Sequence, residues 1–109
     1  MPWLIRSGDV LATAEIARDR AARRRGLIGR REIAGAFVLQ PCRHVHTLGM
    51  RIPVDVALCD RNGRVLHTET LAPWRLSSLV RGTALVVEAE AGAFERWSLY
   101  SGDVIEVKE

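Results

Sequence analysis

The residues best suited to chemistry lie together in residues 41–60, which hold both cysteines and two of the three histidines. If residues 42–50 are extended, alternate side chains share a face of the strand, and Cys42, His44 and His46 are then neighbours. A thiol and two imidazoles could bind a soft or borderline metal ion. A thiolate beside an imidazole could also act as a nucleophile.

Other interpretations of these residues remain open. Successive side chains on one face of a straight strand are about 7 Å apart, so three of them converge on a metal only if the strand bends. A fourth ligand would come from elsewhere, with Asp55, Cys59 and His67 as candidates. Alternatively the histidines bond to backbone carbonyls and the cysteine fills apolar space in a half-buried strand.

The residues that follow predict a break and then a hairpin. Gly49 permits a positive φ, and Pro53 lacks an amide donor, so residues 49–53 should interrupt the strand. Residues 54–60 then alternate as a second strand, and Asn62-Gly63 predicts an antiparallel hairpin with residues 64–71. Asp55 either caps the turn through nearby backbone amides or is a carboxylate of the site.

Length and composition indicate one small globular domain spanning residues 1–109. Two cysteines are too few for a disulfide scaffold. No apolar run approaches a membrane span, and the first ten residues lack the features of a signal peptide. We therefore expect a soluble cytoplasmic protein with free thiols.

Positive charge is concentrated in one segment. The net charge is +3, and fifteen of the sixteen basic residues are arginine. Seven arginines fall in residues 18–31, and residues 17–27 are predicted as a helix with Gly26 as its C-terminal cap. An arginine-rich helix could bind nucleic acid or an acidic partner. Because no helix-turn-helix or zinc finger accompanies it, a solvated helix face is favoured over nucleic acid.

The remaining chain alternates short strands with turns. Strands are predicted at residues 3–6, 10–17, 36–40, 83–89 and 104–107, with the first at a sheet edge, and a second short helix is predicted at residues 93–100. The sum is an α+β domain with a mostly antiparallel, strongly curved sheet or a small β-barrel, and two short helices. Phosphate-loop, nucleophile-elbow, H-E-x-x-H and C-x-x-C motifs are absent from the sequence.

Several segments, taken in order, resemble the domain-of-unknown-function family 192, a set of small bacterial and archaeal proteins. The similarity runs from about Val10 onward and is carried by residues 17–30, 41–60, 62–65, 72–73, 87–88, 91–92 and 102–103. It implies a compact, strand-rich α+β fold without an established activity. Many members have an N-terminal signal or anchor, which we do not expect here.

One segment departs from that family. Many members have a Trp-Met-Lys-Asn-Thr run before an Ile-Pro-Leu-Asp sequence, whereas residues 46–50 here read His-Thr-Leu-Gly-Met. Only Ile52, Pro53 and Asp55 match directly, and Val54 matches conservatively. Because the lysine and asparagine have no equivalent here, a site built on them does not carry over. The chain is interpreted as a histidine-bearing subtype.

Together these features predict a binding module with a pocket near residues 42–55, for a small molecule or a peptide. The candidate ligand-binding residues are His44, His46, Thr47, Met50 and Asp55. The first alternative is a metal-dependent or Cys/His enzyme centred on Cys42, His44 and His46, with a metal ion as the conceivable cofactor. The second is the arginine-rich helix as a surface for nucleic acid or an acidic partner. The sequence leaves the ligand and the oligomeric state open.

Overall fold

The computed structural model describes residues 1–109 apart from the side chain of Arg24. It contains seven strands and two short helices. In chain order these are β1 (Trp3–Arg6), β2 (Asp9–Ala17), α1 (Arg20–Arg25), β3 (Ala36–Leu39), β4 (Val54–Cys59), β5 (Val65–Leu71), β6 (Leu85–Glu90), α2 (Ala93–Trp97) and β7 (Ile105–Lys108).

The strands form one mixed sheet in the order β5-β4-β6-β3-β2-β1-β7. Five neighbouring pairs are antiparallel, and β2 with β3 is the parallel pair. Helix α1 and the loop after it make the crossover that a parallel pair requires. The α+β class predicted from the sequence is therefore observed.

The sheet does not close into the small barrel that was the alternative prediction. Its end strands, β5 and β7, meet only near their first residues, through the Arg64–Val104 bridge and backbone hydrogen bonds around Gly63 and Val65. Beyond this point β5 pairs with β4 and β7 pairs with β1, so no ladder of hydrogen bonds joins β5 to β7 in the described structure. The predicted edge position of β1 is also wrong, because β7 covers it.

Strands β3, β4 and β6 are buried on both faces, as their nearly continuous apolar sequences require. On one face Val38, Ala57 and Val87 pack with Phe94 and Leu99, which lie in and after α2. The other face carries a second apolar cluster, which the connections before β3 and before β4 cover. The strands contribute Phe37, Leu39, Val54, Val56 and Val86, and the connections contribute Leu27, Ile33, Val45 and Met50.

The predicted hairpin is confirmed, and β4 pairs with β5 from Val54–Leu71 to Cys59–Val65. Asp60 holds the turn, because its Oδ1 accepts hydrogen bonds from the amides of Asn62 (2.9 Å) and Arg64 (3.0 Å). Gly63 has φ +90°, a conformation that favours glycine. A bulge between Leu58 and Cys59 shifts the register at the end of β4.

Both predicted helices are present but shorter than expected. Helix α1 begins after Asp19, whose Oδ1 accepts from the amide of Ala22 at 2.7 Å, and it ends at the predicted Gly26. Of the basic triplet 23–25 at its end, the side chain of Arg24 lies outside the described part of the structure. Helix α2 ends at Ser98, which adopts a left-handed conformation with φ 53°.

Among the described residues, no helix combines the length and apolar character that a membrane crossing needs.

Candidate functional site

The predicted strand over residues 42–50 is not formed. The segment is irregular and pairs with another irregular segment, residues 72–82, through one isolated bridge between His46 and Leu76. Backbone hydrogen bonds flank that bridge, from Thr47 to the Arg75 carbonyl and from Ser77 to the Val45 carbonyl, both 2.8 Å long. The prediction failed because alternating residue types do not supply the neighbouring ladder that a strand needs.

Buried and exposed side chains nevertheless alternate along this segment. Val45 and Thr47 are buried, whereas His44 and His46 are exposed. The Thr47 hydroxyl donates to the Ala72 carbonyl (2.7 Å) and accepts from the Arg75 amide (2.9 Å). Thr47 therefore ties the two irregular segments together, and it does not line the cavity described next.

Four of the predicted residues, Cys42, His44, His46 and Met50, line one cavity of about 290 Å³. The cavity lies between the helix α1 region, the 42–50 segment and the sheet face formed by β3 and β6. Its wall combines basic, apolar and acidic side chains, namely Arg20, Arg23, Arg25, Gly26, Leu27, Ile28, Leu39, Cys42, His44, Val45, His46, Met50 and Glu88.

The basic part of the wall comes from helix α1. Arg20, Arg23 and Arg25 all line the cavity, and Arg23 donates from its guanidinium to the Arg18 carbonyl. The loop that follows α1 is held to the sheet by Arg30, which makes two hydrogen bonds with Glu15 (2.8 and 3.1 Å) and lies over the Phe37 ring at 5.4 Å. That hydrogen bonding lowers the pKa of Glu15.

The acidic part of the wall is Glu88 in the middle of β6. Its neighbours across the sheet are Phe37 on β3 and Val56 on β4, so its side chain belongs to an apolar face. Glu88 is only 4% exposed, and burial raises the pKa of its carboxyl to about 7. At neutral pH this carboxyl therefore exchanges between the protonated and the ionised form.

Cys42 is partly buried beside Glu88, and its environment does not favour a thiolate. Burial raises the pKa of the Cys42 thiol and outweighs the lowering effect of a backbone hydrogen bond at His44, while Glu88 raises this pKa further and Arg23 lowers it. The sulfur donates to the His44 carbonyl oxygen at 3.1 Å rather than to an imidazole. Cys59 is fully buried and burial raises the pKa of its thiol to about 12. Neither arrangement resembles an activated Cys/His pair.

The two histidines lie at the mouth of the cavity. Nδ1 of His46 accepts a hydrogen bond from the Leu48 amide at 3.2 Å. Within the part of the chain that the structure describes, no three His, Cys, Asp or Glu side chains are arranged to hold a metal ion. The predicted set of Cys42, His44 and His46 is thus brought to one cavity but not to one coordination point in this conformation.

Asp55 lies away from this cavity and supports helix α2. Its carboxylate accepts from the hydroxyl of Thr70 (2.7 Å) and from the amides of Gly92 (3.0 Å) and Phe94 (3.1 Å). The capping role considered for Asp55 is therefore observed, but on amides far along the chain rather than in the adjacent turn. Asp55 lines a separate hollow with Thr68, Glu69 and Tyr100.

Neither Glu88 nor the three arginines was predicted from the sequence to line the cavity. A signal for Glu88 was present, since a glutamate interrupts the apolar run Val86-Val87-Glu88-Ala89. A charged residue in a strand buried on both faces is rare unless it is paired. The arginines gave no comparable signal, because an arginine-rich helix is most simply a solvated one.

Comparisons with known proteins agree with the fold. Residues 4–107 match the sequence profile of DUF192, a family described as an uncharacterized ACR. A Novosphingobium aromaticivorans protein of unknown function has a crystal structure that is 22% identical, with a TM-score of 0.82 over 96% of this chain and 82% of that one.

A second crystal structure is that of a Sinorhizobium meliloti protein suggested to be a transcription regulator. It is 24% identical, with a TM-score of 0.79 over 97% of this chain and 91% of that one. No curated protein matches the sequence. At these identities the two structures support the fold and do not transfer a function.

Proposed function

We propose that this chain, which belongs to the DUF192 family, is a small binding domain whose cavity takes a small organic anion with an apolar body. The carrying observation is the composition of the cavity wall. Three arginines and two histidines stand beside apolar side chains, among them Leu27, Leu39 and Met50. Such a wall suits a carboxylate at one end of a ligand and a hydrocarbon chain at the other.

The size of the cavity limits the ligand. A volume of about 290 Å³ is at the small end of ligand sites. At about 30 Å³ per water-sized group it accommodates about eight to ten non-hydrogen atoms. A medium-length monocarboxylate fits this limit, whereas a nucleotide or a folded peptide does not.

Two alternatives have less support from the geometry. A Cys/His enzyme needs a thiolate, and burial raises the pKa of the Cys42 thiol. A nucleic-acid surface on α1 would rest on a helix of six residues whose arginines at positions 20, 23 and 25 line a cavity. The relative suggested to be a transcription regulator makes this second alternative worth including as an outcome of the test.

The test is a calorimetric titration with straight-chain carboxylates from acetate to hexanoate. We expect affinity to rise by about fourfold for each added CH₂ group, because each buried CH₂ contributes about 0.8 kcal/mol. The Arg20→Ala/Arg23→Ala double variant should lose at least about tenfold in affinity, since hydrogen bonds to charged groups contribute about 1.5–3 kcal/mol. Arg31→Ala is the matched control, because Arg31 is exposed and lies outside the cavity.

Three results would contradict the proposal. The first is an absence of carboxylate binding, and the second is an equal loss of affinity in Arg31→Ala. The third is tight binding of an oligonucleotide that weakens steeply with salt, which would favour the nucleic-acid alternative. Elemental analysis of the purified protein beside Cys42→Ser and His46→Ala completes the test, because stoichiometric zinc lost in both variants would favour a metal site.

A further inference from the structure

Glu88 places a carboxyl group in an otherwise apolar part of the cavity wall. Its cross-strand neighbours are Phe37 and Val56, and Val86 lies two residues away on the same face. A valine or leucine at this position would complete the apolar cluster. A carboxyl here is costly to bury, and the fold itself gains nothing visible from it.

Among the side chains that the structure describes, none pairs with the Glu88 carboxyl to offset that cost. Within the described residues, no ion pair and no hydrogen bond reaches it, and burial is the effect that raises its pKa. The side chain is nevertheless part of the cavity lining. No fully buried side-chain oxygen or nitrogen of the described residues lacks a hydrogen-bond partner, so the Glu88 oxygens are open to the cavity, where a ligand can donate to them.

The cavity therefore has two chemically opposite walls. Arg20, Arg23 and Arg25 stand on the α1 side and Glu88 on the sheet side. Cys42 also lines the cavity, and both Glu88 and Arg23 are near enough to influence the pKa of its thiol. A simple carboxylate would satisfy the arginines and leave Glu88 unpaired.

On this basis, which rests on the proposed function, we propose that the natural ligand is a small zwitterion of the amino-acid class, with its carboxylate on the α1 arginines and its ammonium group on Glu88. An ammonium group carries three N–H donors and a positive charge, so it can supply the missing partner. The aliphatic part of such a ligand would lie against Leu27, Leu39 and Met50.

Three ligands with the same six-carbon skeleton test this assignment. Hexanoate has only the carboxylate, norleucine adds an ammonium next to it, and 6-aminohexanoate adds an ammonium at the far end. We expect one of the two zwitterions to bind at least about tenfold more tightly than hexanoate, as a charge-assisted hydrogen bond in a buried site allows. Whichever zwitterion binds more tightly indicates how far Glu88 lies from the arginines.

The matched variant is Glu88→Gln, which keeps the shape of the side chain and removes its charge. It should abolish the advantage of the zwitterion over hexanoate when both affinities are measured in the same variant. Glu88→Asp, which keeps the carboxyl but shortens its reach, should retain part of the advantage and serves as the comparison if Glu88→Gln folds poorly. Circular dichroism on each variant shows that the fold is retained.

The outcomes separate this inference from the function on which it rests. If hexanoate binds and neither zwitterion binds better, or if the advantage survives in Glu88→Gln, the zwitterion assignment is wrong while the anion site stands. If none of the three ligands binds, both proposals are overturned. A zwitterion that binds where hexanoate does not, and loses its affinity in Glu88→Gln, supports the assignment of Glu88.

Discussion

At the scale of single residues, the main feature is one acid in an apolar wall. Glu88 is nearly inaccessible, and burial raises the pKa of its carboxyl from 4.5 to about 7. Because the folded state prefers the protonated form, the folded protein binds more protons than the unfolded chain between these two values. Stability is therefore highest below pH 4.5 as far as Glu88 is concerned, and it falls as pH rises towards 7.

This pH dependence gives a prediction for Glu88→Gln. Between pH 4.5 and pH 8, the original protein should lose about 3 kcal/mol of unfolding free energy relative to the variant, which has no group to ionise. Urea unfolding followed by tryptophan fluorescence at both pH values measures the difference. Glu32→Gln, at an exposed position, should leave the pH profile unchanged. A constant difference between Glu88→Gln and the original protein across this range would show that Glu88 ionises normally.

At the scale of elements, two acids position helices rather than ligands. Asp19 caps α1, which carries the arginines of the cavity, and Asp55 caps α2 from the neighbouring strand β4. A carboxylate that accepts hydrogen bonds from first-turn amides satisfies donors that the helix itself leaves unpaired. The Asp55 carboxylate also receives the Thr70 hydroxyl, so it joins β4, β5 and α2.

Asp55→Ala should therefore act on stability and not on ligand affinity. We expect the free energy of unfolding to fall by about 3 kcal/mol, because the amides of Gly92 and Phe94 and the Thr70 hydroxyl lose their acceptor. Carboxylate affinity should stay within about twofold, since Asp55 does not line that cavity. Chemical unfolding and calorimetry measure the two quantities. Asp9→Ala, at the exposed start of β2, is the control, and a large loss of affinity in Asp55→Ala would make Asp55 a site residue after all.

At the scale of the whole molecule, the two ends of the sheet meet at one narrow contact. Gly63, in the hairpin before β5, accepts a backbone hydrogen bond from Ile105 of β7 at 2.9 Å, and the Val65 amide bonds to the Asp103 carbonyl at 2.8 Å. These contacts join residues about forty positions apart. They hold the end strands together without the continuous ladder that a barrel would have.

Gly63→Ala tests this contact against Gly8→Ala. Both glycines have similar positive φ values, +90° and +84°, so each variant should lose about 1 kcal/mol from backbone strain. A Cβ at Gly63 would also collide with the Ile105 carbonyl oxygen, whereas a Cβ at Gly8 would meet nothing within 4 Å. We therefore expect Gly63→Ala to lose about 2 kcal/mol more than Gly8→Ala in urea unfolding. Equal losses would show that the ends of the sheet separate easily.

Local patterns in the sequence were sufficient for most elements of the fold. The Asn62-Gly63 turn, the buried apolar runs of β3, β4 and β6, and the glycine at the end of α1 predicted structure from residue types alone. Each depends on backbone preferences or on the period of apolar residues, which act over a few positions. The same patterns could not place the strands in order, exclude a barrel or show that residues 42–50 lack a ladder, because those depend on partners distant in the chain.

The residues of the candidate site were likewise only partly predictable from the sequence. The sequence by itself drew attention to Cys42, His44, His46 and Met50, because their chemistry and spacing are visible along one short segment. Only the tertiary structure brought Arg20, Arg23 and Glu88 to the same cavity and moved Asp55 and Thr47 into supporting roles. The physical reason is that the order of strands in the sheet places Glu88 of β6 opposite helix α1. Because α1 lies more than sixty residues before Glu88 in the chain, no local sequence pattern reveals that the two are close in space.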